Sequence, residues 1–110
     1  MTGQIYIMGT VESDFAYGRD GEGNRVVRFF LELDRVTKDC LHLDADFAIV
    51  TATGIVAHEC IDRLDCGCHA GIWGWCREIQ RTECRGRVFD TLVVDAKLID
   101  ADEKGGKTNE

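Results

Sequence analysis

Proline is absent from the 110-residue chain, so its turns must be made by other residues, chiefly its 12 glycines. No stretch approaches about 18 consecutive apolar residues, which excludes a transmembrane helix. The opening Met1-Thr2-Gly3-Gln4 has neither a basic n-region nor an apolar h-region; no signal peptide is expected, and the protein is expected in the cytoplasm, away from membranes. Positive charge is scarce: 13 Lys and Arg against 20 Asp and Glu leave a net charge of −7. Global attraction to a polyanion is thereby disfavoured, and any nucleic-acid site has to be a local basic patch. There is no Gly-rich phosphate loop, nucleophile elbow or H-E-x-x-H motif, and the acidic residues are scattered rather than paired. No catalytic residue, cofactor or enzyme activity is expected.

What is present suits one globular domain, with 45% hydrophobic and 30% charged residues. Residues 1–100 are expected to form it and 101–110 a polar, mobile tail. Six cysteines in a short chain invite disulfides, but without an export signal reduced thiols are expected. Cys66-Gly67-Cys68-His69 looks like half of a zinc site, whereas tetrahedral sites usually pair two such units. Cys60, Cys68 and Cys76 fall on apolar stripes, so packing is expected of them and no metal.

Alternation of apolar and polar residues dominates and predicts strands at 4–11, 25–35, 46–53, 68–79 and 88–99. Ile5, Ile7, Gly9 and Val11 share one face of the first; Val27, Phe29, Leu31 and Leu33 share one of the second. The period changes over 55–64, where Val56, Cys60 and Leu64 lie four apart, as on one stripe of a short α-helix. Glycine at 67 suits a left-handed cap after it. The polar segment 12–25 reads as a long loop. Three strands, a helix and two strands is the order of an OB-fold: an all-β, five-stranded Greek-key barrel with one short helix between strands three and four.

Several segments resemble the bacterial single-stranded DNA-binding proteins, whose relatives include primosomal replication protein B. IYIMGTV followed by Asp14 is similar to the family's opening V-I-L-V-G-x-L strand, and VVRFFLEL to its second strand. FAIVTATGIVAHECIDRLDCGCHAGIWGWC aligns without a gap to the family's third strand, helix and fourth strand, with Val50, Gly54, Ala57, Leu64, Gly67, Ile72 and Gly74 on recurring positions. VVDAKLID is similar to the last strand. The resemblance spans residues 4–100 and implies the OB-fold, nonspecific binding of single-stranded DNA, assembly as a homodimer or homotetramer, and replication, recombination or repair proteins as partners.

Single strands are held by stacking bases on aromatic rings while cations track the phosphates. Phe47 stands at the position of a family tryptophan; Ile49 replaces the usual arginine and Thr53 the usual aromatic. Arg77, Arg81, Arg85 and Arg87, against Glu78 and Glu83, make the segment 77–87 locally basic, and it is the hairpin between strands four and five. Loop 12–25 adds Tyr17 and Arg19, and the second strand Arg28. Trp73 and Trp75 point away from the core and, with Tyr6 and Phe30, are expected to form a subunit interface. The competing reading is an OB-fold interaction or structural subunit with little nucleic-acid affinity, in line with the acidic charge and with Ile49 and Thr53.

Overall fold

A computed structural model describes residues 3–42 and 45–101. The strands are β1 (Gly3–Val11), β2 (Ala16–Arg19), β3 (Arg25–Leu33), β4 (Ala45–Thr53), β5 (His69–Cys84) and β6 (Arg87–Ala101), with helices α1 (Arg35–Leu41) and α2 (Ile55–Arg63). Alternation became burial as expected. Ile5, Ile7 and Val11 of β1 and Val27, Phe29, Leu31 and Leu33 of β3 are buried, while Arg28, Phe30 and Glu32 are exposed.

Five long strands close a barrel. β1 pairs antiparallel with β5, β5 with β6 and β4 with β3; β6 and β4 run parallel. The ring closes where β1 leaves β5 and joins β3, with Gly9 opposite Leu33. This is the expected OB-fold, with α2 between the third and fourth barrel strands. Helix α2 buries Ala57 and Cys60 against the barrel, and Leu64 follows them in. Leu64, in extended conformation, ends the helix; Gly67 serves a later turn, at φ 92°, where the Cys68 amide donates to the Asp65 carbonyl.

Gly9 is required at the closing seam, because a Cβ there would run into the Glu32 carbonyl. Gly9→Ala is therefore expected to destabilise the barrel by about 1–3 kcal/mol, as overpacking generally does, read from the urea midpoint.

Two elements depart from the expectation: β2 lies within the segment read as a loop, and α1 is a second helix; neither segment has a strong period. β2 is exposed at all four positions and is held by pairing with β3. Its turn is set by Asp20, whose carboxylate accepts from the backbone amides of Asn24 and Glu22; these bonds lower its pKa. Helix α1 has a single buried residue, Thr37, whose Oγ1 accepts from the Met8 amide at 3.1 Å. The expected tail beyond Ala101 lies outside the described residues.

Cys60 and Cys76 are buried as expected. Cys68 is half-buried, because it precedes β5 at the barrel rim. Burial pushes the Cys60 thiol up to about 12 and raises that of Cys76. Since the thiolate is the reactive form, iodoacetamide on the native protein should label Cys40, Cys66 and Cys84, and reach Cys60 and Cys76 only after unfolding; peptide mass spectrometry reads this directly. Among the described residues no group of three or more His, Cys, Asp or Glu is placed to hold a metal ion.

Candidate nucleic-acid interface

The residues of β4 that do not enter the core form the middle of the outer wall. Phe47, Ile49 and Thr51 are half-buried and Thr53 is exposed. Strand register fixes their neighbours. Phe47 lies between Glu32 and Thr91, Ile49 between Phe30 and Val93, and Thr51 between Arg28 and Asp95. Ile49 thus completes an apolar row with Phe30 and Val93, a setting in which its hydrocarbon side chain suits both neighbours. Glu32 also hydrogen-bonds Glu12, whose carboxyl is raised by that contact first and by slight desolvation and like charge after it.

The hairpin joining β5 and β6 carries the four expected arginines, but it is less positive than its sequence suggests. Arg77 pairs with Asp95 at 3.4 Å, Arg81 with Asp90 at 3.3 Å, and Arg87 with Asp46 at 3.0 Å. Asp46 also receives Lys38 at 3.3 Å. Strand pairing brings these aspartates in from outside the segment 77–87. Arg85, at φ 54° in the tip, pairs with no carboxylate among the described residues. The arginine ends are exposed, and Asp95 and Asp46 are partly so, making those pairs worth about 0–1 kcal/mol. The Asp90 side chain, by contrast, is only 13% exposed; a phosphate therefore competes more readily for Arg77 and Arg87 than for Arg81.

At the β2–β3 edge of this wall, Tyr17, Arg19 and Arg28 line an open groove of about 280 Å³. Tyr17 is 63% exposed and meets Phe15 edge-on at 6.3 Å, while Phe15 packs on Phe29 at 5.1 Å. Of the aromatics in loop 12–25, one therefore closes the core and the other faces out. Arg19 donates to the Gly23 carbonyl, holding the β2–β3 turn.

The expected interface residues divide. Tyr6 and Trp73 pair across β1 and β5 with ring centroids 4.7 Å apart, and Leu98 of β6 stands opposite Trp73. Gly71 makes room for the Tyr6 ring, which a Cβ there would strike. Trp73, Trp75 and Leu98 are all exposed. Phe30 is not in this patch, because the β3 register places it beside Ile49 on the β4 wall. Two residues were not singled out from sequence, Leu98 here and Phe89 on β6. Phe89 shares the outer face of β6 with Thr91 and Val93, and strand register sets β4 alongside it.

No protein-family model matches this sequence, and no curated protein does. Solved structures match its shape. The small single-stranded DNA-binding protein from Streptomyces coelicolor superposes with a TM-score of 0.65 at 18% identity, covering 94% of this chain and 96% of that one. The dimeric N-terminal domain of the PriB protein from Thermoanaerobacter tencongensis gives 0.59 at 17% identity, with 91% and 96% covered. The single-stranded DNA binding protein from Thermus aquaticus gives 0.62 at 19% identity; 96% of this chain is covered and 43% of that longer one. At such identities the likeness establishes the fold. No helix among the described residues is long and apolar enough to cross a membrane.

Proposed function

We propose that this chain is a nonspecific single-stranded DNA-binding module of replication, recombination or repair. It is a cytoplasmic binding protein rather than an enzyme, and it works as a homodimer or homotetramer. The observation that carries the reading is the β4 wall, where Phe47 faces outward beside a hairpin bearing four arginines, on a barrel whose solved neighbours in shape are described as single-stranded DNA-binding proteins. Such a site needs ring faces and cations but no base-reading code, since every base has a π-face. The Tyr6–Trp73–Leu98 patch, with Trp75 beside it, is the proposed contact between subunits, as in its dimeric neighbour two chains associate.

The test is anisotropy of labelled oligo-dT, titrated at about 20 mM salt, where phosphate contacts are strongest. The wild type should bind, and Arg81→Glu with Arg85→Glu should abolish binding while circular dichroism and sedimentation stay unchanged. If the wild type does not bind, the protein is the interaction subunit instead, a reading that the exposed tryptophan patch and the charge of −7 favour. If it binds and the double reversal changes nothing, the hairpin is not the site.

A further inference from the structure

Phe89, Phe47 and Phe30 lie on one diagonal of the outer wall. Two residues beyond Phe89 along β6, on the same face, is Thr91, which stands opposite Phe47. Two residues beyond Phe47 along β4 is Ile49, which stands opposite Phe30. Each step moves over one strand and along by two residues. Across the antiparallel β4–β3 pair that diagonal places neighbours about 7–8 Å apart. Across the parallel β6–β4 pair a strand spacing of about 4.8 Å with a rise of about 3.3 Å per residue gives about 8 Å. The line has an arginine at each end. The Arg87 guanidinium lies over the Phe89 ring, 5.8 Å from its centroid. At the other end, two residues past Phe30 on the outer face of β3, is exposed Arg28, opposite Thr51.

Cross-strand packing sets Phe30 beside Ile49 but does not join the three rings to one another. The residues directly opposite these rings are Thr82, Thr91, Glu32 and Ile49, and among the described residues no ring contact joins the three phenylalanines. Phe30, moreover, is 48% exposed at the centre of the wall. Stacked bases in a helix rise only about 3.4 Å per nucleotide. Rings at about twice that spacing suit a strand drawn out of its helical stack, with one base laid on each ring.

Resting on the single-strand reading above, we infer that Phe89, Phe47 and Phe30 form a three-ring stacking track for three successive nucleotides of a single strand, with Arg87 and Arg28 holding the phosphates at its two ends. The track crosses β6, β4 and β3 obliquely. It leaves Trp73 and Tyr6, on the wall built by β1 and β5, outside the nucleic-acid site.

The experiment scans oligo-dT carrying abasic positions, which remove bases but keep every phosphate, against Phe30, Phe47 and Phe89 variants. Each Phe→Ala change should weaken oligo-dT binding about five- to a hundredfold. Each Phe→Leu change, which keeps apolar volume but no ring, should do nearly the same. Ile55→Ala, at an exposed position on α2 away from the wall and from the subunit contact, should leave affinity unchanged. Three consecutive abasic positions should weaken the wild type strongly, yet cost a triple Phe→Leu variant little more. If only Phe47 variants lose affinity, the track is overturned while single-strand binding stands. If Phe30 and Phe89 variants lose affinity equally for abasic and intact strands, the rings do not stack bases and the track is also overturned. A wild type that binds no oligo-dT at all refutes the single-strand reading itself, and the track with it. Should an alanine variant melt early, the leucine variant decides.

Discussion

Raising salt from about 20 to about 200 mM is expected to reduce affinity for oligo-dT by two to three orders of magnitude. Each phosphate neutralised on a single strand contributes about −0.7 to the slope of log affinity against log salt, so four hairpin arginines give a slope near −2.8. The net charge of −7 deepens the effect in practice, since once the local attraction is screened no global attraction remains. Three of the arginines already hold aspartates, and a phosphate must displace these. Asp90→Asn, which frees Arg81, should therefore raise low-salt affinity and lower stability by about 1 kcal/mol, because the Asp90 side chain is only 13% exposed and loses a charged partner. Lowering pH should act in the same direction. The raised carboxyl of Glu12 takes up its proton at a higher pH than an ordinary glutamate, removing negative charge next to the Glu32–Phe47 row, and it gives this up as pH rises through that raised value. A log–log plot of anisotropy-derived affinities with a slope near zero would rule out phosphate contact.

Phe29→Ala should remove about 3–5 kcal/mol of stability, out of the roughly 5–15 kcal/mol typical of a domain. Phe29 heads the fully buried side chains by volume, stands opposite Val50 of β4 and packs on Phe15, so its loss leaves a cavity at the centre of the β3–β4 pair. The urea midpoint should fall steeply, with DNA binding lost as the chain unfolds. The adjacent Phe30 makes the contrast: Phe30→Ala should leave the midpoint within about 0.5 kcal/mol of the wild type, as a surface truncation does, while affinity falls. If Phe29→Ala melts like the wild type, the barrel core is not organised around that ring.

What the sequence determined by itself were the properties with a local period. Alternation in β1, β3, β4 and β5 sorted inward from outward side chains, and the change to a four-residue period located α2, because both patterns depend only on the backbone of the segment that carries them. Their succession, three strands, a helix and two strands, indicated the OB-fold order, and the resemblance of these segments to a known family implied the same one. β2 and α1 escaped for the same reason in reverse: β2 has no buried face, and α1 has one buried threonine where a stripe would be needed.

The candidate site was legible only in part. Phe47 and the arginines could be named from their positions, but Asp90, Asp95 and Asp46 beside those arginines, the grouping of Phe30 with Ile49 rather than with Trp73, and the place of Phe89 on the β4 wall could not. Each is a relation between strands far apart in the chain. Strand direction and register set it, the parallel pairing of β4 with β6 above all, and register is decided by the whole barrel closing on its core.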